Sequence, residues 1–201
     1  MDPFKKTSIF DALELSSILH KGSAAVLPTD TLPALAACPE YSSQLWNIKQ
    51  RPAHKPFILM ASSPKELFEF VLPIALEDAE SMASRYWPGA LTMILPASGS
   101  VVDALHPGED NIGMRVPSCE VTIELLGKSG PLATTSANLS GQPPSLNAAD
   151  ATNCFPDLPL LGPLPWPIAS GQASTVIVWK SRGCWQVLRS GAVIIEAGQD
   201  K

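Results

Sequence analysis

Charged side chains are scarce in this sequence. Asp, Glu, Lys and Arg make up 16% of its 201 residues, against about a quarter of an average soluble protein, which excludes the charge-rich chain that stays solvated and disordered. Cations are scarcer than acids, 14 against 19, giving a formal net charge of −5 and an isoelectric point near 5.1. The molecule as a whole repels phosphate, so nucleic acid could be held only by a local basic patch. No apolar run approaches the roughly 18 residues of a membrane span. The N-terminal MDPFKKTSIF also lacks the apolar block of a secretory signal. The expected setting is the cytoplasm, with no membrane partner.

Reactive groups are equally thin. Cys38, Cys119, Cys154 and Cys184 form no C-x-x-C pair, so reduced thiols are expected rather than zinc ligands or a redox couple. His20, His54 and His106 lack a neighbouring carboxylate or cysteine spacing that would make them metal ligands, and surface or loop roles are expected for them. G-x-G-x-x-G, H-E-x-x-H and G-x-S-x-G are absent, and Gly127-Lys128-Ser129 has Thr122 where a P-loop needs its first glycine. Any chemistry must therefore work by positioning and electrostatics rather than through a triad or a resident metal.

Proline, by contrast, is abundant, with 20 residues. The length favours one domain over residues 1–201, with a core over about 8–195, and no repeat suggests a solenoid. Apolar spacing predicts helices over 8–20, 42–50, 75–86 and 119–127. Ser63-Pro64-Lys65-Glu66 reads as a capping box that starts another helix. Short apolar runs predict strands at 24–28, 57–61, 90–95, 111–117, 131–136, 174–179 and 184–195. Seven prolines between 143 and 167 predict a long ordered loop draped over the sheet. The fold class is α/β, in the form of an α+β arrangement with a twisted mixed sheet flanked by helices.

Four segments bring cations, hydroxyls and prolines to predicted strand ends: PTDT at 28–31, IKQRPAHKP at 48–56, NIGMRVP at 111–117 and TTSANLSG at 134–141. Lys49, Arg51 and Lys55 form a dense positive cluster stiffened by two prolines, suited to a triphosphate. The T-T-S-A-N-L-S-G run offers short hydroxyl and amide groups for phosphate oxygens or an amino acid. Singly, PTDT could be only a turn, and Lys49 and Arg51 only a solvated helix end.

In this order the segments resemble the YrdC/Sua5 family of L-threonylcarbamoyladenylate synthases. YWPGALTMIL at 86–95, PLATTSANLSG at 131–141, ASTVIV at 173–178 and LRSGAV at 188–193 extend the resemblance over residues 28–193, as in the short single-domain form. It implies a YrdC-like open sheet with a concave site. The implied enzyme is a nucleotidyltransferase that makes threonylcarbamoyl-AMP and pyrophosphate from ATP, L-threonine and bicarbonate, for modification of tRNA adenosine 37. Mg2+ would enter with ATP and need no protein cage.

By position, the resemblance implies Lys49 and Arg51 as catalytic residues, and Arg51, Lys55, Asn111, Ser136, Asn138, Ser140 and Arg189 as ATP ligands. It implies Thr31, Arg115, Thr134 and Ser174 as threonine ligands. Pro33 and Ala34 depart from the family's usual Tyr-Gly, and Met60 and Pro144 replace residues that are polar in some relatives. Two alternatives therefore stand beside the synthase: a divergent paralogue acting on another small substrate, and a module that binds double-stranded RNA, tRNA or tRNA-modification proteins.

Overall fold

A computed structural model describes residues 8–52 and 55–195. His54 and the lysine-bearing segment before residue 8 lie outside the described residues. Ten strands form one mixed sheet in the order β1-β8-β2-β3-β7-β4-β6-β5-β9-β10. In chain order these are β1 (Ile9–Phe10), β2 (Ala25–Leu27), β3 (Ala34–Ala37), β4 (Ile58–Met60), β5 (Leu91–Pro96), β6 (Asn111–Arg115), β7 (Leu132–Ser136), β8 (Leu160–Leu161), β9 (Thr175–Ser181) and β10 (Cys184–Arg189). The helices are α1 (Ala12–His20), α2 (Ser43–Lys49), α3 (Pro64–Phe68), α4 (Pro73–Tyr86), α5 (Ser100–Leu105), α6 (Glu120–Ser129) and α7 (Ala148–Cys154).

Strands β2 and β3 read as unbroken apolar runs because both faces of the sheet are covered there. Along β2 and β3, Val26, Leu35 and Ala37 join one core with Leu45, Leu59, Met93 and Met114. Ala25, Leu27, Ala34 and Ala36 point the other way, into a second core with Leu15 and Leu19 of α1 and Leu125 and Leu126 of α6. That alternation is the two-residue period of a strand. Beyond α1 and α6 the second face is left open, and the candidate site lies there.

Local signals place the helix ends with two corrections. The expected helix over 8–20 begins later, at Ala12, because Asp11 caps it: Asp11 Oδ1 accepts from Leu13 N and Glu14 N, both at 2.9 Å, and Glu14 returns a contact to Asp11 N. The capping box read at Ser63 does not form. Helix α3 does start there, but the Ser63 hydroxyl donates to Glu66 Oε1 at 2.7 Å and Ser62 joins it, so no backbone N–H is capped.

The proline-rich stretch is not one loop. It contains α7, whose Asn147 cap accepts from Asp150 N at 2.9 Å, and β8, which pairs parallel with β1 and β2. The seven prolines fall outside both elements, so they delimit structure rather than prevent it. The last strand also stops at Arg189, short of the expected 195. Thr175 Oγ1 accepts from Gly191 N and Val193 N, and a Cβ on Gly191 would stand 2.2 Å from the Ala173 carbonyl oxygen. The chain is thus pinned against β9 by side-chain bonds.

Replacing Asp11 by Ala removes a double cap and lowers stability by about 1 kcal/mol. Urea unfolding of Asp11→Ala beside Ser63→Ala checks this, with the smaller loss expected at Ser63.

Candidate active site

Strand register assembles the site floor. Ala34 of β3 stands opposite Ser136 of β7, Ile58 of β4 pairs with Thr134 of β7, and Met60 of β4 pairs with Arg115 of β6. These paired positions share one face of the pleat. They form the floor of a cavity of about 290 Å³ whose walls add Thr31, Leu32, Arg51, Asn138, Pro144, Ala173, Ser174 and Arg189. Three arginines line it and no Asp or Glu does among the described residues, so the cavity favours an anion.

Lys49 does not face that cavity. Its side chain is 2% exposed, and Nζ donates to Ser136 O at 2.5 Å, Asn138 O at 2.8 Å and Asn138 Oδ1 at 2.8 Å, with Ser136 Oγ at 3.2 Å. An ammonium has three hydrogens, and four oxygens already surround them. Lys49, expected as a catalytic residue, thus has its hydrogens engaged by Ser136 and Asn138. The same holds for Asn138: its Oδ1 accepts from Lys49 and from Ser136 Oγ, and its Nδ2 donates to Leu139 O and Gln142 O. Ser140 lies off the cavity, with its backbone N–H on Lys49 O at 3.0 Å. Ser136 lines the cavity but spends its hydroxyl proton on Asn138.

Between Lys49 and Arg51 the chain reverses. Gln50 takes the left-handed conformation, φ 51° and ψ 45°, that closes α2, so one cation turns inward and the next outward. Arg51 Nη2 donates to Pro56 O at 2.9 Å, and its guanidinium lies 5.8 Å from the centre of the Phe57 ring, which in turn packs on Trp46. Nε donates to Lys55 O at 3.4 Å, and Arg51 lines the cavity. Lys55 is exposed and lies outside the cavity lining.

Arg115 is the most constrained cation. It is 2% exposed. Nε donates to Gly89 O at 2.9 Å, Nη1 to Thr31 Oγ1 at 2.8 Å and Nη2 to Asp30 Oδ1 at 2.7 Å. Of five N–H donors, two are left for a ligand. Burial lowers its pKa from the ordinary arginine value, and Asp30 opposes that shift. Arg189 donates from Nε and Nη2 to Ser174 O, at 3.1 and 2.9 Å, and from Nη2 to Ser174 Oγ at 3.2 Å. Thr134 spends its proton on Ile58 O.

Asn111 is not brought to the cavity. It opens β6 four residues before Arg115, about 13 Å away along an extended strand, and its carbonyl holds His106 Nδ1 at 2.9 Å. Sequence reading missed Asp30 as the counter-ion of Arg115, because Asp in a Pro-Thr-Asp-Thr turn looks like turn chemistry. Its partner lies 85 residues away. Pro33, the departure noted above, lines a second, larger cavity of about 790 Å³ between α7 and residues 164–169, walled by Trp166, Leu164 and Ile168, with no charged side chain among its described lining residues. Gly127-Lys128-Ser129 ends α6 and forms no phosphate loop.

The sequence that folds into this open-faced mixed sheet with an arginine-lined cavity matches a family model. The profile of the Sua5/YciO/YrdC family, described as "Telomere recombination", matches residues 17–191, and the chain belongs to that family. It is 33% identical over 144 residues to the threonylcarbamoyl-AMP synthase of Pyrococcus abyssi, a match covering 70% of this chain and 42% of that protein. It is 34% identical over 152 residues to the threonylcarbamoyl-AMP synthase of Idiomarina loihiensis, covering 73% of this chain and 82% of that one. The match thus spans less than half of the longer relative. Among solved structures, P. abyssi Sua5 complexed with L-threonine superposes with a TM-score of 0.82 at 27% identity, over 92% of this chain and 56% of that chain.

The buried ammonium gives the site a pH limit. Burial, with Arg51 adding repulsion, lowers the Lys49 pKa from 10.5 to about 8. The folded chain then releases this proton near pH 8 and the unfolded chain near 10.5, so the stability cost of the charge is full below pH 8 and fades between 8 and 10.5. Anion binding moves the opposite way, because a neutral amine has one hydrogen fewer for the Ser136–Asn138 cage. Calorimetric titration with ATP is expected to show affinity falling above pH 8 while urea stability does not fall with it. Constant affinity up to pH 10 would contradict the cage.

Proposed function

We propose that this chain is a threonylcarbamoyl-AMP synthase working in the cytoplasm: it joins L-threonine, bicarbonate and ATP, releasing pyrophosphate. The observation that carries the reading is the cavity with Arg51, Arg115 and Arg189 in its walls and no acid among the described lining residues. The reading gains support from relatives that bear that name and from a solved relative that holds L-threonine.

The chemistry asks little of side chains as nucleophiles. The threonine amine adds to carbon dioxide derived from bicarbonate and loses a proton, giving a carbamate. A carbamate oxygen then forms a bond to the α-phosphorus as the bond from that phosphorus to the bridging oxygen breaks, and pyrophosphate leaves with the electron pair. What the site supplies is alignment and positive charge. Arg51 and Arg189 take the phosphates, and the two free N–H groups of Arg115 take the threonine carboxylate, with Thr31, Thr134 and Ser174 around the amino acid. Asp30 fixes the Arg115 fork so that its remaining donors aim into the cavity. Mg2+ travels with the triphosphate, whose oxygens are its ligands. The product is a mixed anhydride, so a carbamoyl-accepting reaction on tRNA must follow.

Incubation with ATP, Mg2+, bicarbonate and L-threonine, with pyrophosphate and the adenylate both measured, tests the reading. Pyrophosphate release that rises with threonine and matches adenylate formation is expected, and release indifferent to threonine contradicts it. Arg51→Ala removes a charge-assisted contact to phosphate and is expected to lower turnover about 100-fold.

A further inference from the structure

Beside the arginines stands a pair of hydroxyls whose proton direction is fixed by burial. Thr92 of β5 is 1% exposed. Its Oγ1 lies 2.8 Å from Ser174 Oγ, and among the described residues this is its one hydrogen-bond partner. Met93 pairs with Met114, so Thr92 sits in register beside Arg115, on the same face as the cavity floor but behind its wall. Ser174, unlike Thr92, lines the cavity.

A hydroxyl carries one hydrogen and two lone pairs. If Ser174 were the donor, the Thr92 hydrogen would be buried with no acceptor, which is costly. Thr92 must therefore donate. Arg189 Nη2 donates to Ser174 Oγ as well, at 3.2 Å. Both lone pairs of Ser174 are then used and its own hydrogen is left over, with only the cavity open to it. We propose that Thr92 is a positioning residue that turns Ser174 into an obligate hydrogen-bond donor, so that Ser174 and Arg189 together receive an acceptor-only oxygen of the substrate: a carboxylate, carbamate or phosphate oxygen, never the amine.

The assignment of substrates rests on the synthase reading, while the proton direction does not. The test is a double-mutant cycle on Thr92→Val, which keeps shape and loses the hydroxyl, and Ser174→Ala, with Thr92→Ser as the conservative rescue. Kd is measured by calorimetry separately for L-threonine and for ATP, which tells which ligand supplies the oxygen. Thr92→Val is expected to weaken one of the two about tenfold, Thr92→Ser to restore it, and the double variant to be no weaker than Ser174→Ala alone. Wild-type affinity for both ligands in Thr92→Val, a Thr92→Ser as weak as Thr92→Val, or additive losses would overturn the proposal. If the wild-type protein binds neither ligand, the synthase reading fails, and the same cycle read with inorganic pyrophosphate decides the proton direction by the same criteria.

Discussion

One buried ammonium organises the turn beside the arginine-lined cavity of this protein. Among the described residues Lys49 has no carboxylate partner; four oxygens from Ser136 and Asn138 surround it. Taking a charge out of water is costly unless its hydrogens are satisfied, and here every hydrogen has an acceptor supplied by the turn after β7. That turn cannot adopt another shape without stranding the charge. The same ammonium fixes the end of α2, from which Gln50 throws Arg51 outward. A single interaction thus sets the distance between the loop that closes one side of the cavity and the guanidinium that guards the other.

The remaining cations follow the same rule of being held before any ligand arrives. Arg115 is fastened by Gly89, Thr31 and Asp30, Arg51 by Pro56 and the Phe57 face, and Arg189 by Ser174. Each lines the cavity and has N–H groups beyond those bonds. Long side chains fixed in this way lose little entropy when a ligand binds them. Three of the 14 cations of a chain that is acidic overall thus line one cavity, which no Asp or Glu lines among the described residues.

Much of this was legible in the sequence, for identifiable reasons. The segments PTDT, IKQRPAHKP, TTSANLSG and ASTVIV were singled out by their order, which resembles the family, and Thr31, Arg51, Thr134, Ser136, Asn138 and Ser174 from them do line one cavity. Roles were less legible. Lys49, expected as catalytic, and Asn138, expected as an ATP ligand, have their polar atoms engaged with each other and with their own turn, because the sequence shows residue type and not which way an αL residue at 50 turns its neighbours. Asn111 read as a ligand from its motif, yet β6 carries it away from Arg115. The prolines of 143–167 hid α7 and β8, since breakers mark boundaries as readily as they mark loops. Thr92, on an apolar strand between Leu91 and Met93, gave no signal: its partner Ser174 lies 82 residues on.

The central claim is that Lys49 supports the site without touching the substrate. A crystal structure of the protein with ATP bound tests it most directly. The account predicts phosphate oxygens on Arg51 and Arg189, with Lys49 Nζ still on Ser136 O, Asn138 O and Asn138 Oδ1. An ammonium turned out of that cage onto a phosphate would contradict it.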